Sequence, residues 1–306
     1  MLRILVLVTL FRTFSIMAHD TASLNKARYL FINNSKLAAF DICNNLISSD
    51  SNFVEAYVLR GGIQLDLDLP SFALIDFNTA IRKDPENFNA IIGKGMYYRQ
   101  IGDFEESALA FNKAEKINDT ALALFLNRSM LYNKMQNYDL NIMSLSQGLK
   151  YHPKELILIQ NRSYAYICKH QYDSAVLDAL SALAIDSNDI VSKTNLGFCY
   201  ISKKQYLKAL AIYRNLNINS ESHPYLQSNY GFVLFKTGKK IEGLNHLYNA
   251  IKEDPKNSYA HKYMAEISIE ENDIEMACYH IGKALNLGYT KMYGKDLEIL
   301  EAKYCR

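Results

Sequence analysis

Apolar residues along this chain return every third or fourth position, in short blocks broken by polar stretches. That spacing puts the apolar side chains of each block on one face of an α-helix. The segment LILIQNRSYAYI, residues 156–167, shows the pattern and its puzzle. Its ends are apolar enough for a buried helix, yet Gln160, Asn161, Arg162 and Ser163 stand at its centre. Such a helix must have a second face that is not core, and the rest of the chain indicates where it points.

The blocks repeat. AIRKDPENFNA (80–90) returns as AIKEDPKNSYA (250–260), and their Asp-Pro pairs lie 170 residues apart, five times 34. Pro153 follows Pro85 by 68 residues, twice 34. A frame opened at Asp20 gives eight repeats, starting at 20, 54, 88, 122, 156, 190, 224 and 258, with no insertion or deletion. Position 8 reads Ala27, Gly61, Gly95, Ser129, Ser163, Gly197, Gly231 and Ala265, all small. Position 20 is small in seven of eight, Asn141 being the exception. Position 27 is Ala or Gly except at Leu46 and Leu216, and position 24 is apolar throughout. Positions 4, 8 and 11 share a face of one predicted helix, and 20, 24 and 27 a face of a second. Small residues at 8 and 20 let the two backbones approach, and large ones at 11 and 24 fill the space beside them. The break falls near positions 14–16, as at Gly102-Asp103, and a proline at position 32 helps end the second helix. One such hairpin cannot bury its own face, so neighbours must stack.

This pattern resembles the tetratricopeptide repeat family over residues 20–291. The aromatic usual at position 4 survives only as Tyr57 and Phe125. The resemblance implies an all-α, right-handed superhelical solenoid of antiparallel helix pairs. After the last repeat, 292–306 reads as a capping helix, with Leu297, Leu300 and Tyr304 of GKDLEILEAKY (294–304) facing inward.

Asn161 is position 6 of its repeat, and Asn127, Asn195 and Asn229 hold the same position in three others. Positions 2, 5, 6, 9, 12 and 13 form the face of the first helix turned away from its own partner. Stacked, these faces line a concave groove. An amide offers a donor and an acceptor, which match a peptide backbone. In related repeat domains this position contacts bound peptide, which is what the resemblance implies here. Tyr164, Phe198, Tyr225, Phe232, Phe235, Tyr259 and Tyr263 add an aromatic lining. An apolar groove with an amide ladder suits an apolar peptide or an amphipathic helix. The carboxylate clamp of chaperone-binding relatives is missing: the only lysine at position 5 is Lys262, followed by Glu266 at position 9.

The 306 residues are 49% hydrophobic, ample for a large core, and 34 basic against 32 acidic residues leave a net charge of +2. With no basic block, nucleic acid is not an expected partner. The start, MLRILVLVTLFRTFSIMAHD, has Arg3, an apolar run Ile4–Phe11 and small residues near Ala18, and reads as a signal peptide over 1–18. It is too short to span a bilayer comfortably. Five cysteines, an odd number without CxxC spacing, indicate neither a zinc site nor a disulfide scaffold. The histidines are scattered and fit surface or inter-helix positions better than a metal site. No HExxH, GxxxxGK[ST] or GxSxG motif is present, so neither catalytic residues nor a cofactor or metal is expected. The expected function is a scaffold or adaptor that binds a protein segment in a periplasmic or secreted setting. The alternative is a cytosolic adaptor or co-chaperone.

Overall fold

The structure, a computed structural model, describes residues 20–216, 218–219, 222–290 and 294–305; the signal-like segment lies outside the described residues. Every described regular element is a helix. First helices are α1 (20–32), α3 (Val54–Asp66), α5 (Phe88–Ile101), α7 (Leu122–Lys134), α9 (Leu156–Cys168), α11 (Ile190–Ser202), α13 (Pro224–Lys236) and α15 (Ser258–Glu270). Second helices are α2 (Lys36–Ser49), α4 (Pro70–Lys83), α6 (Phe104–Ile117), α8 (Tyr138–Tyr151), α10 (Tyr172–Ile185), α12 (Tyr206–Arg214), α14 (Lys240–Glu253) and α16 (Ile274–Asn286). The terminal α17 is Asp296–Tyr304. The described residues divide into two compact bodies, one ending at Asn137 and the other beginning at Tyr138. Within each body, consecutive helices pack as hairpins and each hairpin packs on the next.

The hairpin turn is the same in all eight repeats. Residue 15 of each lies in the left-handed region: Asn34, Asp68, Gly102, Gln136, His170, Lys204, Gly238 and Asn272. In each, the amide of residue 16 bonds the carbonyl of residue 11, from Ser35 on Leu30 to Asp273 on Ser268. This bond caps the first helix and, where both helices belong to one body, sets the direction of the second. Only two of the eight positions carry glycine, so sequence alone located the break without fixing its geometry.

Close packing between the paired helices follows from position 8. A Cβ on Gly61 would sit 2.7 Å from the Phe77 ring, on Gly95 2.4 Å from Phe111, and on Gly197 2.3 Å from Tyr213. Each ring is residue 24 of the same repeat, lying over the gap the missing side chain leaves. Where serine replaces the smaller residue, its hydroxyl bonds across the same approach: Ser107 Oγ to the Gly95 carbonyl at 2.8 Å, and Ser163 Oγ to the Ala175 carbonyl at 3.0 Å. The polar centre of α9 is thereby partly accounted for, since Ser163 is buried in the hairpin.

Arginine at position 7 ties neighbouring hairpins together. Arg60 grips Asp76 with two bonds of 2.7 Å and reaches Asn44 of the preceding repeat at 2.8 Å. Arg162 does the same with Asp178 and Ser146. Arg128 takes Glu115 and Asn112 instead. These planar forks are partly buried, where such charge-assisted pairs are strongest.

Repeat 6 departs from the frame. Its α12 has nine residues where α10 and α14 have fourteen. Position 27 here is Leu216 rather than a small residue, and the Asn-rich run that follows Arg214 is a poor helix former.

The terminal helix α17 packs on α16, with Leu297 fully buried and Leu300 partly buried against the core. A disulfide joins Cys278 on α16 to Cys305, just past α17. One disulfide is thus present in a chain whose cysteine count and spacing indicated no disulfide scaffold. The pair lies 27 residues apart, outside any motif spacing, and only the fold brings it together. Cys43 and Cys199 are buried, and burial pushes both thiols up to about 12. Such thiols are packing residues rather than nucleophiles.

Candidate functional site

The inner positions of the first helices in the C-terminal body enclose a cavity of about 380 Å³. Tyr164 and Ile167 come from α9, Thr194, Asn195 and Phe198 from α11, Tyr225 and Asn229 from α13, and Tyr259 from α15. Every one stands at position 2, 5, 6, 9 or 12 of its repeat. The helical period aims these positions away from the second helices, so four successive repeats each contribute to one wall. The Phe198 ring meets Tyr259 edge-on at 5.2 Å, which fixes the far side. Tyr164 is the most open wall, 42% exposed.

The position-6 asparagines do not behave alike. Asn229 is buried and engaged: its Oδ1 accepts from the Tyr263 hydroxyl at 2.9 Å. Asn127, in the N-terminal body, accepts from Arg99 Nη1 at 3.1 Å and donates to its own Ala123 carbonyl at 2.8 Å. Asn161 is half-buried and does not line the cavity. Asn195 differs again: its Nδ2 is buried at the cavity wall with no hydrogen-bond partner. A buried donor in that state costs about 1–3 kcal/mol unless something accepts from it.

The aromatic lining also divides. Tyr164, Phe198, Tyr225 and Tyr259 line the cavity. Phe232, Phe235 and Tyr263 do not: all three are buried in the core of the C-terminal body. Phe232 stacks on Tyr263 with centroids 4.2 Å apart, so the two rings satisfy each other between adjacent first helices. Burial takes all three out of an open groove, although Phe232 and Tyr263 still border a small neighbouring cavity of about 130 Å³. Ile167 and Thr194 are lining residues that the aromatic and amide pattern passed over, although their positions, 12 and 5, already marked the inner face.

The remaining candidates are accounted for by their neighbours. Lys262 pairs with Asp296 at 3.2 Å and Glu266 at 3.4 Å. Burial works against its charge, but the carboxylates and Tyr289 prevail and hold its pKa above the usual value. Cys168 is partly buried, and burial raises its thiol. A second cavity of about 390 Å³ lies in the N-terminal body, between Arg28 and Asn127, with Glu55, Asn87 and Asn89 at its polar edge. Among the described residues no group of three or more His, Cys, Asp or Glu could hold a metal. No described helix is long and apolar enough to cross a membrane.

No family model and no curated protein sequence matches this chain. Solved structures do. A tetratricopeptide repeat protein from Parabacteroides merdae is 18% identical, with a TM-score of 0.64 over 80% of this chain and 96% of its own. Cut9, in the APC/C hetero-tetramer Cut9–Hcn1, is 14% identical, with a TM-score of 0.63 over 90% of this chain and 54% of its own. Human IFIT1, solved as a dimer with m7Gppp-AAAA, is 15% identical, with a TM-score of 0.54 over 83% of this chain and 68% of its own. With the repeated turn, the small residues at positions 8 and 20 and the consecutive hairpins, these likenesses establish that the chain has the tetratricopeptide repeat fold.

Proposed function

We propose that the protein is a non-catalytic scaffold or adaptor that holds an apolar peptide segment of a partner protein in the cavity of its C-terminal body. The observation that carries this reading is the unpartnered Asn195 Nδ2 beside the rings of Tyr164, Phe198, Tyr225 and Tyr259. A peptide brings both complements at once: a backbone carbonyl for the amide and an apolar side chain for the rings. The near-balanced charge and the absence of a basic block favour a protein partner over a nucleic acid. That Cut9 was solved with a protein partner fits the reading, while the RNA cap on IFIT1 shows that the fold itself does not decide it.

The setting we propose is a bacterial envelope, periplasmic or secreted. The signal-like start and the Cys278–Cys305 disulfide support it, since disulfides persist in oxidising compartments. N-terminal sequencing from the native host should begin near His19 or Asp20. Intact Met1 in a cytosolic fraction would end the envelope reading and leave the fold untouched.

The binding reading is tested by selecting a displayed random-peptide library on the wild type and on Phe198→Ala. Sequences with an apolar or aromatic residue should be enriched on the wild type and lost on the variant. Enrichment that is identical on both would remove this cavity from consideration.

A further inference from the structure

The last repeat contains a buried pair of histidines that the binding reading does not use. His261, at position 4 of α15, and His280, at position 23 of α16, are 5% and 4% exposed. Their Nδ1 atoms face each other at 3.0 Å. Two nitrogens that close share one proton, so one ring must donate and the other accept. A proton on the buried His280 Nε2, which has no hydrogen-bond partner, would be an N–H with nothing to accept it, and this leaves the His261 Nδ1 as the acceptor. His280 therefore donates from Nδ1, and its Nε2 carries a bare lone pair. That Nε2 is buried with no hydrogen-bond partner.

We infer that this pair is a pH-sensitive latch: while both rings are neutral it fastens α15 to α16, and a proton taken up at His280 Nε2 loosens the terminal repeat and its cap. The added proton would place an unpaired charge in a buried site. The Tyr279 ring stands edge-on to His280 at 5.1 Å and supplies no countercharge. Among the described charged groups of α13, α14, α16 and α17, Lys283 on α16 is the one that acts on His261, and it opposes protonation; His280 feels only His261. Burial accordingly lowers the pKa of both rings, that of His280 to about 4. The sign follows from linkage. A histidine depressed on folding contributes fully above its ordinary value of about 6.5, and the contribution is lost as pH falls from there toward about 4. Histidines elsewhere use this window as switches. α15 also carries Tyr259, so the latch adjoins the wall of the cavity.

The test is hydrogen–deuterium exchange on the full chain with its disulfide intact, corrected for intrinsic rates. Between about pH 7.5 and about pH 5, the opening equilibrium of α15–α17 should rise roughly thirtyfold relative to α9–α11. In the double variant His261→Phe/His280→Phe that rise should vanish. No rise in the wild type, or the same rise in the variant, would overturn the latch. If the variant does not fold, nitrogen resonances of the wild-type rings decide. His280 protonated at Nδ1 and still neutral at about pH 5 upholds the proposal, and titration near its ordinary value overturns it.

Discussion

The Tyr263 hydroxyl donates to Asn229 Oδ1 at 2.9 Å, joining position 6 of one repeat to position 6 of the next. The bond lies where a groove asparagine was expected to await a ligand. One amide thereby ties repeat 7 to repeat 8. Replacing it by alanine strands the hydroxyl of Tyr263, which is 1% exposed. Asn229→Ala should therefore lower stability by about 1–3 kcal/mol in urea denaturation. A loss below about 0.5 kcal/mol would contradict the linking role.

Adjacent glycines should respond in opposite directions. A Cβ on Gly61 would meet Phe77 at 2.7 Å, whereas a Cβ on Gly62 meets nothing within 4 Å. Gly61→Ala should cost about 1–3 kcal/mol through overpacking. Gly62→Ala, in the same helix, should gain about 0.5–1 kcal/mol. Thermal melts of the two variants check the frame, since a shift of one residue would exchange the outcomes.

The left-handed turn residues give a third expectation. Lys204 sits at φ 57° with a Cβ that this conformation disfavours, by about 1–2 kcal/mol for an ordinary L-residue. Glycine removes that cost but loses more chain entropy on folding, about 0.5–1 kcal/mol. Lys204→Gly should thus stabilise by up to about 1 kcal/mol, and Gly238→Ala, at φ 95°, should destabilise by a similar amount. Denaturation midpoints of both decide.

The disulfide predicts a thiol count and a stability change. Denatured without reductant, the protein should expose three alkylatable cysteines, Cys43, Cys168 and Cys199, and with reductant five. Cys305→Ser should cost about 2–4 kcal/mol, the range for closing a loop of this size. Reductant should destabilise the wild type and leave Cys305→Ser unchanged.

The sequence displayed the period, the small residues at positions 8 and 20 and the place of the turn, because each depends on local spacing alone. Whether an inner-face aromatic is open or covered depends on the next repeat. Phe232 is lost to the core because Tyr263 lies flat against it, while Phe198 keeps an edge in the cavity. Residue type does not distinguish them. The Cys278–Cys305 pair was hidden for a similar reason: Cys305 lies beyond the repeats, and only the docking of α17 brings it to α16. His261 was closer to legible. Position 4 is a core position in the frame, so a histidine there signals burial, and its partner at position 23 follows from hairpin geometry.

The most direct measurement sets Asn195 against Asn229 with a peptide selected on the wild type, recording dissociation constant and denaturation midpoint for each alanine variant. Asn195→Ala should weaken binding by about 0.5–1.5 kcal/mol, the net value of one hydrogen bond, with little change in stability. Asn229→Ala should chiefly lower the midpoint, because its amide oxygen is held by the Tyr263 hydroxyl. If Asn195→Ala instead bound the peptide as well as the wild type, the amide would not be a ligand contact, and the claim that this cavity holds a peptide backbone would be contradicted.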